Sequence, residues 1–163
     1  MQQRLLPLSV HAYRKVAREI FVLAHNAVFI VAIWLSFGIP VELRTLWVIP
    51  GLILNAYLSF WVSIVLGIAS VRYRDIPPIV QSVLGLLFFV TPILWTKDKL
   101  GGTSDLVLRF NPFAYLIAVI RDPMLNVSVS TSTWAICLFI CGLFTIIGLF
   151  AMSATRTRLA YWL

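Results

Sequence analysis

The sequence predicts an all-α polytopic membrane protein, with about four transmembrane helices, a short outer re-entrant helical element and an N-terminal cytoplasmic interfacial helix, all in one domain over residues 1–163. Three observations lead there. Hydrophobic residues make up 61% of the chain and charged ones only 12%, with a mean hydropathy of +0.96, whereas a soluble domain carries about 25% charge. So few charges cannot cover a water-soluble fold, and lipid must be the solvent for most of the surface. The apolar residues also fall in runs long enough to cross a bilayer, and the basic residues collect in short segments beside those runs.

A spanning helix needs about 20 residues to cross roughly 30 Å of hydrocarbon at about 1.5 Å per residue. Such runs occupy residues 20–38, 46–69, 79–96 and 134–154. Ahead of the first, residues 8–20 set Val10, Tyr13, Ala17 and Ile20 at helical spacing, with Arg14, Lys15 and Arg18 on other faces. That pattern predicts a separate helix along the cytoplasmic surface, gripping anionic lipid or docking a cytoplasmic partner. Asp75 before Ile76, Pro77 and Pro78 marks the start of the third span, where a carboxylate can accept free N–H groups and prolines are tolerated. Arg72, Tyr73 and Arg74 form a compact basic turn just before it, and Thr91-Pro92 should bend that span near its outer end. A fifth apolar piece, Phe113 to Ile120, is bracketed by Asn111-Pro112 and Arg121-Asp122-Pro123. It is too short to cross and should dip in from the outer surface and return. Only Leu5 and Leu6 separate Met1–Arg4 from Pro7, too little apolar length for a signal peptide, so the first span is expected to act as its own insertion signal.

Orientation follows from the basic residues. Arg4, Arg14, Lys15, Arg18, Arg72, Arg74, Arg156 and Arg158 fall on one side. Arg44, Lys97, Lys99, Arg109 and Arg121 fall on the other, diluted by Glu42, Asp98, Asp105 and Asp122. The bias places the first group, and with it both termini, in the cytoplasm. Trp47, Trp95, Trp134 and Trp162 lie near span ends, where an indole buries its ring and keeps its N–H among the headgroups. The net charge of +7 is thereby explained by topology and by anionic membrane lipids, and nucleic acid is not an expected partner.

Within the second span Gly51, Asn55, Ser59, Ser63 and Gly67 recur at every fourth residue, forming one slowly winding ridge. Small, weakly polar residues let another helix approach closely; flanked by Tyr57 and Trp61, they equally suit the wall of a polar pathway. Gln81, Ser82 and Gly85 mark a non-lipid face on the third span. The span interiors hold no Asp, Glu, Lys or Arg, and only His25, beside Asn26, is ionisable at the cytoplasmic end of one. No catalytic residues are therefore expected, which counts against an enzyme and against an ion-coupled carrier. Cys137 and Cys141 sit four apart in an apolar run and predict small hydrophobes rather than a metal site. No cofactor is expected in this chain, and no Gly-rich turn ending in Gly-Lys-Ser or Gly-Lys-Thr occurs, so ATP hydrolysis would lie on a partner.

A further set of segments runs through Leu6-Pro-Leu-Ser, Tyr13-Arg, His25-Asn26, Arg72-Tyr-Arg-Asp-Ile-Pro and Phe88-Phe-Val-Thr-Pro-Ile-Leu-Trp95. It continues through Asn111-Pro-Phe, Arg121-Asp-Pro and Arg158-Leu-Ala-Tyr-Trp-Leu163. In order and interval, over essentially the whole chain, these resemble the permease subunits of ABC exporters for O-antigen, capsule and related polysaccharides, in the type-two ABC exporter superfamily.

The resemblance implies an ABC ATPase subunit as partner, a permease homodimer with the pathway between its copies, and a lipid-linked polysaccharide carried across the inner membrane. It implies that residues 8–20 dock the ATPase through His11, Tyr13, Arg14 and Arg18, beside the cytoplasmic turn Arg72, Tyr73, Arg74 and Asp75. It implies an outer gate around Lys97 to Met124, punctuated by Asn111, Pro112, Arg121, Asp122 and Pro123. Tyr57, Trp61, Phe88 and Phe89 are pathway candidates, offering sugars stacking faces. Family members carry an N-terminal interfacial helix and two spans ahead of the docking helix, which this chain is expected to lack, as a fragment or a truncated permease that would not transport on its own. The alternative in the same superfamily is an exporter of drugs or small lipids.

Overall fold

The computed structural model describes residues 8–38, 42–91 and 110–155, without the side chains of 8, 9, 89 and 90. Every regular element among them is helical. Helix α1 runs Leu8–Phe37, a 3-10 turn Leu43–Trp47, α2 Val48–Arg72, α3 Ile76–Val90, α4 Pro112–Met124 and α5 Thr131–Thr155. The expectations placed on Arg4, Trp95, residues 97–109, Arg156, Arg158 and Trp162 lie outside the described residues, as does the side chain of Phe89.

Residues 8–20 are not a separate helix. They are the first turns of the 30-residue α1, which at about 1.5 Å per residue is roughly 45 Å long. The physical reason is in the sequence: no glycine or proline falls between Leu8 and Phe37, so nothing interrupts the helical hydrogen-bond ladder at the point where surface residues give way to apolar ones. The helix stops at Gly38, whose φ of 60° is the left-handed conformation that closes a helix C-terminus.

Helices α1, the 3-10 turn with α2, and α5 are long and apolar enough to cross a membrane. The third expected span is shorter among the described residues: α3 has 15 residues and ends at Thr91, and residues 92–96 are not described. Three crossing-length helices are therefore described where about four were expected. Helix α4 has 13 residues, about 20 Å, and cannot cross. It continues through Arg121, Asp122 and Pro123, so these form its last turn rather than a stop after Ile120.

Helix α2 is the centre. Leu54 and Leu58 bury against Val119 of α4 and Cys137 and Cys141 of α5, with Leu116, Tyr115 and Phe144 packed around them. Toward the C-terminal end of α2, Ile64 and Ile68 bury against Ala12 of α1, with Phe60, Trp61, Ala151 and Met152 beside them. The outward faces are apolar: Phe21, Phe29, Leu35 and Phe37 on α1, and Phe139, Ile146 and Phe150 on α5, are all exposed. In water such faces would aggregate; in a bilayer lipid tails cover them. The protein is an integral membrane protein.

Candidate functional site: the short helix α4 and the α2 ridge

Helix α4 is fastened at both ends. Asn111, only 5% exposed, caps it by accepting from the Phe113 N–H at 3.0 Å. The Asn111 amide donates to Thr91 Oγ1 at 3.0 Å, and the Thr91 hydroxyl donates to the Leu87 carbonyl at 2.6 Å. The cap of α4 is thus tied to the last turn of α3. At the far end, Arg121 pairs with Asp122 at 3.0 Å, and the 3-10 turn reaches over: the Thr45 hydroxyl donates to Asn126 Oδ1 at 3.1 Å, while Trp47 meets Trp134 with ring centroids 5.9 Å apart. Asn126 takes a φ of 59°, a left-handed turn that asparagine tolerates better than most residues.

The middle of α4 rests on the predicted ridge of α2. Pro123 has no N–H and so cannot donate to the Val119 carbonyl one turn back. That carbonyl lies over Gly51, where a Cβ would stand 2.6 Å from its oxygen. Asn55, next on the ridge, donates to Gly51 of its own helix at 3.0 Å and to the Leu116 carbonyl of α4 at 3.2 Å. The rest of the ridge does something else. The Ser63 hydroxyl donates back to Ser59, nothing lies within 4 Å of a Cβ on Gly67, and both Ser63 and Gly67 line an open cavity. One half of the ridge packs a helix, as its small residues allow, and the other borders space.

Of the pathway candidates, Tyr57 and Trp61 come together on α2, with rings 6.4 Å apart and edge to face. Tyr57 meets the Thr145 hydroxyl of α5 at 2.9 Å. Since the Thr145 proton already goes to the Cys141 carbonyl at 2.7 Å, Tyr57 is the donor. The six-membered ring of Trp61 lies close against Gly148, and the indole Nε1–H is buried with no acceptor among the described residues. Phe88 is exposed on a different helix, α3.

At the opposite end of α2 the basic segments converge. His11 and Lys15 of α1 share a cavity with Ser70 of α2 and Pro77 of α3. The tilted rings of Tyr13 and Phe60 meet with centroids 4.7 Å apart, and Phe60 in turn meets Trp61 edge to face at 5.4 Å. Arg14 and Arg18 point away and are exposed. Arg72 lies over the Tyr73 ring at 5.3 Å. Asp75 occupies the cap position of α3, but its side chain makes no cap bond. An N-cap side chain bonds the second or third helical N–H, and here those positions are Pro77 and Pro78, which have none. Arg74 and the exposed Tyr73 complete the turn.

The Asn55 cross-link and the Asn111–Thr91 tie were not anticipated as contacts, although both asparagines stood out in the sequence, one in the ridge and one before Pro112. No group of three or more potential metal ligands occurs among the described residues. Cys137 and Cys141 are core residues, the latter with its thiol 3.8 Å from the Leu54 carbonyl.

Comparison with known proteins adds the following. The family model for the ABC-2 type transporter matches residues 4–125. An O-antigen export system permease protein RfbA of Klebsiella pneumoniae is 26% identical over 132 residues, covering 80% of this chain and 51% of that protein. A second RfbA of the same organism is 28% identical over 133 residues, with the same coverage of each. The chain spans about half the length of the curated relatives it matches. No solved structure matches it significantly.

Proposed function

Because the chain belongs to the ABC-2 type transporter family, we propose that it forms part of the permease of an ABC exporter that carries lipid-linked polysaccharide, such as O-antigen or capsule, outward across the inner membrane. The observation that carries the choice of substrate is its similarity to two O-antigen export permeases over 80% of its length. In this reading residues 1–163 act as one transmembrane unit in a permease homodimer, and ATP is hydrolysed by a separate ABC ATPase subunit. The chain holds no cofactor, and both termini face the cytoplasm.

The geometry suits such a division of labour. The first turns of α1, with Arg14 and Arg18 exposed, receive the ATPase together with His11, Tyr13 and the turn Arg72–Asp75. A displacement there reaches α2 through Tyr13 and Phe60 and reaches α4 through α2, which packs on both. Helix α4, from Asn111 and Pro112 to Arg121, Asp122 and Pro123, is the outer gate. It is too short to cross the bilayer, and it is held by the packing of Val119 against α2 and α5 together with the Asn55 and Asn111 hydrogen bonds. Tyr57, Trp61, Phe88 and Phe89 offer ring faces to passing sugars.

Deleting the gene from its own strain tests this reading. Loss of surface glycan with accumulation of lipid-linked glycan inside the cell is the expected result. Normal surface glycan in the deletion strain, with increased sensitivity to drugs instead, would assign the chain to the drug or small-lipid branch of the family.

A further inference from the structure

The first turns of α1, the C-terminal half of α2 and the first turns of α3 border an open cavity of about 430 Å³. Its lining is mixed: Leu66, Val80 and Leu84 supply apolar surface, and His11, Lys15 and Gln81 supply polar groups. The hydroxyl protons of Ser63 and Ser70 are already committed to the carbonyls of Ser59 and Leu66, at 2.7 and 2.6 Å. The groups left to donate into the cavity are therefore the Lys15 ammonium, the His11 imidazole and the Gln81 amide.

Among the described residues no acidic one lines the cavity. Among the described residues the one ion pair, Arg121 with Asp122, lies at the opposite end of α2, and Glu19, one turn along α1, makes none with Lys15. An ammonium that shares a lining with Leu66, Val80 and Leu84, and that makes no ion pair with Glu19, suits an anion from outside the chain. An anion alone would leave the apolar surface of Leu66, Val80 and Leu84 against water. An amphipathic anion satisfies both parts of the lining.

We infer that this cavity holds the phosphate of an anionic phospholipid, received by Lys15, His11 and Gln81, with an acyl chain laid against Leu66, Val80 and Leu84. The site is formed by three helices of this chain and requires only that the start of α1 lies at the headgroup level, whatever the exporter carries. A lipid there would brace α1 against α2 and α3 beside the end of α1 that carries Arg14 and Arg18.

Native mass spectrometry of the full chain, delipidated in detergent and titrated with phosphatidylglycerol, phosphatidylcholine or inorganic phosphate, tests this. One phosphatidylglycerol is expected to survive activation that strips phosphatidylcholine. Lys15→Gln is expected to weaken its retention roughly fivefold, and Lys15→Arg to preserve it. Leu84→Trp, which fills the apolar side without touching a charge, is expected to lose the lipid too. Equal retention of phosphatidylcholine, or a Lys15→Gln variant that retains lipid like the parent, would overturn the inference. Displacement of phosphatidylglycerol by inorganic phosphate would reduce the site to one for a bare anion and overturn the lipid assignment.

Discussion

The carbonyl oxygen of Val119 sits over Gly51, 2.6 Å from where a Cβ on that glycine would stand. Pro123 leaves the carbonyl without its usual helical donor, and the missing side chain of Gly51 lets the α4 backbone approach this closely. Gly51→Ala must push α4 outward and is expected to destabilise the protein by about 1–3 kcal/mol in a detergent unfolding titration. Gly67→Ala, sixteen residues along the same ridge with nothing within 4 Å, is the control. It should be neutral or stabilising by up to about 1 kcal/mol, because it removes only backbone freedom from the unfolded chain.

Asn111 serves as the α4 cap and as a donor to Thr91, and these two functions can be separated. Asn111→Ser keeps a capping oxygen but is too short to reach Thr91, whereas Asn111→Ala loses both. The alanine variant should cost about 0.5–2 kcal/mol through the cap alone, and the serine variant less. A double-mutant cycle between Asn111→Ser and Thr91→Val should return a coupling of about 0.5–1.5 kcal/mol, the worth of one hydrogen bond. Additive losses would mean that the bond contributes nothing to holding α4 against α3.

Much of this arrangement is legible in the sequence, because the bilayer imposes it. Apolar runs mark α2 and α5 to within a few residues, at Val48–Arg72 and Thr131–Thr155, and the Asn111-Pro112 pair marks the start of α4. Length alone shows that α4 cannot cross. What periodicity does not reveal is where a helix fails to break. Polar residues at the start of α1 read as a surface helix, yet a change in solvent along a helix is no obstacle to its hydrogen bonds. Asp75 reads as a cap until the two prolines after Ile76 are seen to remove the donors a cap needs. Partner choice is the other gap: the Asn55 amide had to find an acceptor, but that the acceptor is Leu116 of α4 depends on Gly51 having brought α4 within reach.

Trp61 and Gly148 form a second close pair, this time between α2 and α5. A Cβ at position 148 would collide with the six-membered ring of Trp61. Gly148→Ala is expected to cost about 1–3 kcal/mol by overpacking. A second change, Trp61→Leu, should recover part of that loss by removing the ring that the methyl group meets, although alone it is destabilising. Rescue in the double variant, read from the same unfolding titration, identifies the ring as the obstacle; simple addition of the two losses would locate the strain elsewhere on α5.

Arg14 and Arg18 lie one turn apart on α1 and are exposed, while Tyr13 is turned onto Phe60 and His11 into the cavity. All four residues assigned to ATPase docking are exposed, Tyr13 at 65%, and the two arginines carry the charge with which to meet another protein. Reversing both, Arg14→Glu with Arg18→Glu, should abolish co-purification of the chain with its ATPase from mild detergent, because like charges placed across a contact repel and leave their former partners unpaired. Tyr13→Phe keeps the ring on Phe60 and should leave the complex intact. The pair of variants separates two uses of the same turns: if Tyr13→Phe dissociated the ATPase and the double reversal did not, the docking surface would lie on the α2-facing side of α1 and the exposed arginines would serve only as topology anchors.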